Sequence, residues 1–292
     1  MDAQTLALWG GFIAALVAFL VFDLFVIHRR AHVVGVREAL VWTAIWIALA
    51  LVFGAGVFVF GGVEKGTEFL TGYLIEKSLS VDNIFIFLVI FQYFAVPPAL
   101  QPKVLRWGIF GALVMRLVFI LAGAALLDAF HWMIYVFGAV LLVTAARLAF
   151  TGEQEVHPEK NPVIRLIQRF FPLSNQYHDE AFFVRRNGVL MGTPLLAVLV
   201  MVESTDLVFA LDSIPAIFAV TRDPYIVFTS NAFAILGLRA LYFALAGLLE
   251  YFTYLRQALV GVLAFVGMKM ILSDVYHVPA PVSLAVVATM LG

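Results

Sequence analysis

Long apolar runs alternate with short polar breaks along this chain, and nine of the runs come close to the roughly 20 residues a helix needs to cross a hydrocarbon core. They lie near 5–27, 38–60, 69–95, 104–127, 130–150, 190–220, 224–249, 255–273 and 277–291. A segment in hydrocarbon must satisfy its own backbone hydrogen bonds, so each run predicts a helix. One long interval, 151–189, interrupts the series. Its "NPVIRLIQRFF" sets Ile164, Ile167, Phe170 and Phe171 on one helical face with Arg165 and Arg169 elsewhere, the pattern of a helix lying on a membrane surface. Its "AFFVRRNGVLMG" places Asn187-Gly188 between short apolar runs, which predicts a tight hairpin. The interval reads as a tether between two halves.

Composition makes the same reading general. The chain is 63% hydrophobic and 13% charged, with mean hydropathy +1.02, where soluble domains are about half apolar and a quarter charged. The fold class is therefore all-α and polytopic. A net charge of −1 leaves no basic footprint for nucleic acid. With no cysteine, disulfide scaffolds, thiolate metal sites and cysteine nucleophiles are excluded. The opening "MDAQTLALWG" lacks the basic region and small-residue cleavage site of a signal peptide, so the first run reads as a retained span. Cytoplasmic loops carry an excess of Lys and Arg. With the N-terminus outside, twelve basic residues fall on inner loops, and only Lys65 and Arg222 on outer ones. The expected topology is N-terminus out and C-terminus in, across a plasma membrane whose lipids surround the spans.

Two halves repeat. Arg116 and Gly138 are 22 residues apart in "VMRLVF…YVFGAVLLV", and Arg239 and Gly261 are 22 apart in "GLRALYF…ALVGVLAFV". Each half reads as an acidic span, a "FAV" end, a span bearing an arginine and a span containing a glycine. By the topology above, the two units run in opposite directions. Inverted repeats of this kind mark secondary transporters, which hold substrate near the midplane where the units meet. The organisation expected is two peripheral helices in 1–60, a first three-helix unit in 69–150, the interval 151–189, a second unit in 190–273, and a last helix in 274–292.

An acidic side chain at the centre of a membrane helix costs about 2.5–3.5 kcal/mol on insertion scales. Asp23, Glu76, Asp82, Glu203, Asp206 and Asp212 all lie in spans, five of them in the first helices of the two units. Arg116, Arg239, and Lys77 or Lys269 can neutralise three acids, and a cation or protons must balance the others. Hard oxygen donors surround the acids: Ser78, Ser80 and Asn83 in the first cluster, Ser204, Thr205 and Ser213 in the second. Such donors suit Mg, Ca or Mn rather than Zn or Cu. Glu76, Ser80 and Asn83 share one helical face, whereas Asp82 points away from Glu76, so one cluster using both calls for local unwinding. Pro215 frees the carbonyl of Leu211 beside Asp212 and predicts a broken helix there. The six histidines fall at span ends or in loops, where surface roles are expected.

The stretches "LTGYLIEKSLSVDNIFIF" and "TPLLAVLVMVESTDLVFALDSIPAIFAVTRDPYIVFTSNAFAILGLRALYF", with "FDLFVIHRRAHVVGVREALVWTAIWI" before them, resemble the TerC family of integral membrane proteins. Its bacterial members include Alx-type manganese exporters. The resemblance spans about residues 10 to 275. It implies kinship with LysE-like transporters, a bacterial inner-membrane location, and export of Mn²⁺ from the cytoplasm. The family's intramembrane acids match Asp23, Glu76, Asp82, Glu203, Asp206 and Asp212, along with Asn83 and Ser213. The expectation is a non-enzymatic transporter without a resident cofactor, exchanging Mn²⁺ for protons at Glu76, Asp82, Asn83, Glu203, Asp206 and Asp212, with Asp23, Ser213, Arg116, Arg239 and Lys269 in support. Export of Ca²⁺ or Mg²⁺, or help in metallating exported proteins, are the rival expectations.

Overall fold

The computed structural model describes residues 3–22, 34–150, 172–174, 176–186, 189–246, 255–276 and 278–291. In order, the elements are α1 (Ala3–Phe22), α2 (Val36–Tyr93), α3 (Gln101–Ala129), α4 (Met133–Phe150), β1 (Phe183–Arg186), β2 (Val189–Gly192), α5 (Pro194–Phe218), α6 (Pro224–Leu236), α7 (Leu238–Leu245), α8 (Leu255–Ile271) and α9 (Ala280–Leu291). Among the described residues, α2, α3, α4, α5 and the α6–α7 pair are long and apolar enough to cross a membrane. Three apolar helical stretches are shorter, Thr5–Val21, Gln257–Ile271 and Pro281–Met290. Asp23, the surface helix expected within 161–171, and the hairpin turn at 187–188 lie outside the described residues, as do the side chains of Asp82 and Asp212.

The two runs at 38–60 and 69–95 form one element rather than two helices with a loop between. Only Gly62 leaves the helical region, at φ 86° and ψ 173°, a conformation that glycine adopts without steric cost. The chain reverses there. Phe58 lies over Gly66, Gly54 lies 3.1 Å from the Phe69 ring when a Cβ is placed on it, and Ala50 packs with Tyr73. These pairs are centred on residue 62, so α2 is a helical hairpin with arms α2a (36–61) and α2b (63–93). The polar residues 64–68 extend α2b, and Thr67 donates to the carbonyls of Val63 and Glu64.

The run at 224–249 departs in the opposite sense, breaking at Gly237 into α6 and α7. Lys77 of α2b explains the position of the break. Its Nζ donates to the carbonyl of Ala234 at 3.4 Å and lies against Gly237, a cation at the negative end of α6. Lys77 thus caps a helix, where the sequence pointed to a carboxylate partner. The broken helix expected at Pro215 is absent: α5 runs through that residue without interruption.

Apolar outer surfaces and a packed interior match a lipid setting. Of the most apolar 18-residue window, 83% lies inside the protein in α6–α7 and 17% in α2, which makes α6–α7 the central element. Around it, α2 packs on α5, α6 and α7, α3 on α5 and α6, and α4 along α8. The α4–α8 crossing is close because glycines face each other: a Cβ on Gly138 would come within 3.1 Å of the Gly267 carbonyl, and one on Gly267 within 3.0 Å of the Gly138 carbonyl. Gly261, expected from the sequence to correspond to Gly138, lies against Met290 of α9 instead.

On either side of 187–188, β1 and β2 pair with Phe183↔Gly192 and Arg186↔Val189 in antiparallel register. The pair is docked rather than merely tethering. Thr193 Oγ1 donates to Ala181 O at 2.7 Å, Lys103 Nζ donates to Glu180 O at 2.6 Å, and Tyr177 donates to Phe94 O at 2.8 Å.

At the other end of the α4–α8 pair, Tyr135 Oη and His131 Nε2 both meet Asp274 Oδ2, at 2.5 and 2.9 Å. The Tyr135 hydroxyl, and after it His131, hold the exposed Asp274 carboxyl below its usual range. A depressed folded-state pKa contributes stability above the unfolded value that is lost as pH falls through the folded one. Thermal unfolding of the wild type is therefore expected to fall more steeply than that of Asp274→Asn as pH drops below the ordinary aspartate value of about 3.9. Parallel curves would contradict this.

Candidate functional site

Glu76 of α2b, Arg116 of α3, Asp206 and Ser213 of α5, and Asn231 of α6 meet at the centre of the helices. Their exposures are 0%, 1%, 4%, 2% and 0%. Arg116 Nη1 lies 2.5 Å from Glu76 Oε1 and donates to Ser213 Oγ at 2.9 Å and Asn231 Oδ1 at 2.5 Å. Its Nη2 lies 3.6 Å from Asp206 Oδ1. The amide of Asn231 is oriented by donating to Val227 O at 3.2 Å, one turn back on α6.

Helical geometry makes this meeting place. Asp206 and Ser213 are seven apart on α5 and so share a face, and that face packs against α3, α2b and α6. Two carboxylates against one guanidinium leave this group one negative charge in excess. Several buried atoms also have no hydrogen-bond partner: Glu76 Oε2, Asp206 Oδ2, Asn83 Oδ1 and Arg116 Nε. Buried polar groups are otherwise nearly always paired, so unsatisfied acceptors with excess negative charge are the signature of a place for a cation or a proton.

Other expected residues are placed differently. Glu203, one turn before Asp206, is half-buried against α3, where a Cβ on Gly111 would overlap its carboxylate. Arg239 is 8% exposed and lines with Asp206 a narrow space bordered also by Gly108 and Ala112 of α3. Lys269, expected to pair with an acid, instead donates to Ser283 Oγ of α9 at 2.9 Å. Ser78, Ser204 and Thr205 turn their hydroxyls to carbonyls three or four residues back on their own helices, a common use of hydroxyls in helices. Among the described residues, no three of His, Asp and Glu gather as a metal-holding group. That description does not extend to the Asp82 and Asp212 side chains or to Asp23.

Asn231 is the residue that reading the sequence missed. Thr229, Ser230 and Asn231 are all fully buried, and "TSN" within "PYIVFTSNAFAIL" was the available signal: three consecutive polar residues in a membrane-length apolar run. Gly111 also matters. Gly111→Ala is expected to push the Glu203 carboxylate out of its place on α3, with the fold retained. A structure of the variant beside a thermal melt measures this, and an unmoved Glu203 carboxylate would contradict it.

Apolar helices of membrane-crossing length around a buried, ion-paired polar centre define a polytopic integral membrane protein. The chain belongs to the TerC family of integral membrane proteins, whose model matches residues 61–292. It is similar to an uncharacterized membrane protein of Myxococcus xanthus, STKORF319, with 54% identity over 285 residues, 98% of this chain and 89% of that one. It is also similar to the "putative membrane-bound redox modulator Alx" of Salmonella typhi (48% identity, 96% of this chain and 90% of that one) and of Escherichia coli K12 (46%, with the same coverage). No solved structure matches.

Proposed function

We propose that the protein exports Mn²⁺ from the cytoplasm in exchange for protons, by alternating access of two inverted three-helix units in a bacterial inner membrane. The observation that carries this reading is the buried Glu76–Arg116–Asp206 group, with its excess negative charge and unsatisfied oxygens. Ionisable residues inside membrane helices are costly and mark ion pathways. The donors present are carboxylate, amide and hydroxyl oxygens, which suit Mn²⁺, Mg²⁺ or Ca²⁺. Resemblance to Alx-type exporters selects Mn²⁺ among them.

The packing supports two related units, α2b–α3–α4 and α5–(α6–α7)–α8. Exchanging them turns the α2–α6 contact into the α5–α3 contact and returns α4–α8 and α2–α5 to themselves, and all of these contacts are present. Cargo then binds Glu76, Asp82, Asn83, Glu203, Asp206 and Asp212 from the cytoplasmic side and leaves outward as these carboxylates take up protons. Each carboxylate alternates between metal-bound and protonated forms, which keeps buried charge small. A redox role, as in the name of the Alx relatives, would have to proceed here without thiols, since the chain has no cysteine.

Purified protein in liposomes tests the reading. Under an imposed pH gradient, Mn²⁺ flux is expected to exceed that of Ca²⁺, Mg²⁺ and Zn²⁺. Faster Ca²⁺ or Mg²⁺ flux would reassign the cargo, and no divalent flux would favour a metallation factor.

A further inference from the structure

We infer that Arg116 is a tethered counter-cation, standing where the divalent cargo binds and displaced by it in each cycle. This rests on the transport reading above. The argument begins with one atom. Arg116 Nη1 has three oxygen neighbours at 2.5–2.9 Å, from Glu76, Ser213 and Asn231, but it carries only two hydrogens. Arginine normally meets carboxylates through a planar two-pronged fork. Here the fork is unused: Nη2 reaches Asp206 only at 3.6 Å, and Nε has no acceptor. Oxygens from three helices converging on one point form the shell of a compact cation, which a planar guanidinium fills incompletely.

Charge leads to the same conclusion. With Arg116 in place the group carries one excess negative charge. A divalent ion arriving beside it would put two cations within a few ångströms in a dry site, where like charges repel strongly. Arg116 must therefore give way. Helical side chains lean toward the N-terminus of their helix, which sets the direction of withdrawal. In that direction along α3 lie the small residues Ala112 and Gly108, beside a narrow space that Asp206 and Arg239 also line. Withdrawal that way leaves Glu76, Ser213 and Asn231 to the ion. A cation built into the chain lets the emptied protein bury its acids, and it weakens cargo binding enough for release.

Arg116→Met tests this, with binding of Mn²⁺ alone to the detergent-solubilised protein followed by electron paramagnetic resonance at mildly alkaline pH. The affinity is expected to rise at least about tenfold, equivalent to about 1.4 kcal/mol, and KM and maximal rate in liposomes are both expected to fall. Where Arg116→Met does not fold, Arg116→Gln, which keeps an amide donor for Ser213 and Asn231, is expected to shift both in the same directions. Unchanged or weaker binding in a folded variant would mean that Arg116 only holds the ligands in position, and would overturn the inference alone. A wild type that binds no divalent cation would overturn the transport reading, and this inference with it.

Discussion

Glu76→Gln is expected to abolish Mn²⁺ movement while leaving the fold intact. Glu76 is fully buried and meets Arg116, which also faces Asp206. The amide has nearly the same shape as the acid, and its introduction leaves one guanidinium against one carboxylate. Stability should therefore fall by no more than about 3 kcal/mol, the upper net worth of one hydrogen bond to a charged group. Transport is another matter, because an amide can neither neutralise a divalent ion nor exchange it for a proton. Outer-shell changes at metal sites cost about 10–100-fold, so loss of a charged ligand should lower flux about a hundred-fold or more. Thermal unfolding and liposome flux on the same preparation separate the two effects. A folded Glu76→Gln protein with wild-type flux would remove Glu76 from the site.

Gly138→Leu is expected to disable the protein by a different route. At the α4–α8 crossing a Cβ on Gly138 would fall 2.7 Å from Ile271 Cγ1 and 3.1 Å from the backbone oxygen of Gly267. Ile271 can shift, but the carbonyl belongs to a helix and cannot. Small residues are what allow membrane helices to approach this closely, and overpacking typically costs about 1–3 kcal/mol. In the proposed alternating-access arrangement α4 and α8 fall in different units, so forcing them apart should also stop the relative movement that it needs. Gly261→Ala is the control. Its Cβ would meet only the flexible Met290 side chain at 3.4 Å, so its flux and melting temperature should stay near wild type. Equal damage from the two substitutions would argue against the crossing as the sensitive place.

Much of the arrangement can be read in the sequence because the bilayer is an exacting solvent. Apolar runs announced the helices, and the cost of an intramembrane charge singled out Glu76, Arg116 and Asp206 as residues needing partners. What escaped depended on contacts between distant segments. The polar residues 64–68 resemble a loop, yet the helix continues through them because a single residue, Gly62, completes the reversal. Gly237 is an ordinary glycine in the sequence, and its break is tied to Lys77, 160 positions earlier, which reaches the freed end of α6. Lys269 is another charge inside a span, but its partner is a hydroxyl on α9. Asn231 was overlooked because charge guided the search, while a buried amide can orient an arginine without carrying any. Pro215 misled in the other direction: it removes one hydrogen bond from α5 without interrupting the helix.

The central claim is that buried carboxylates exchange a divalent cation for protons across the membrane. Purified protein in liposomes that contain both a Mn²⁺ indicator and a pH indicator tests it most directly. The account predicts that added Mn²⁺ enters while protons leave, and that Glu76→Gln loses both signals together. Mn²⁺ entry without proton movement, or paired signals that persist in Glu76→Gln, would contradict it.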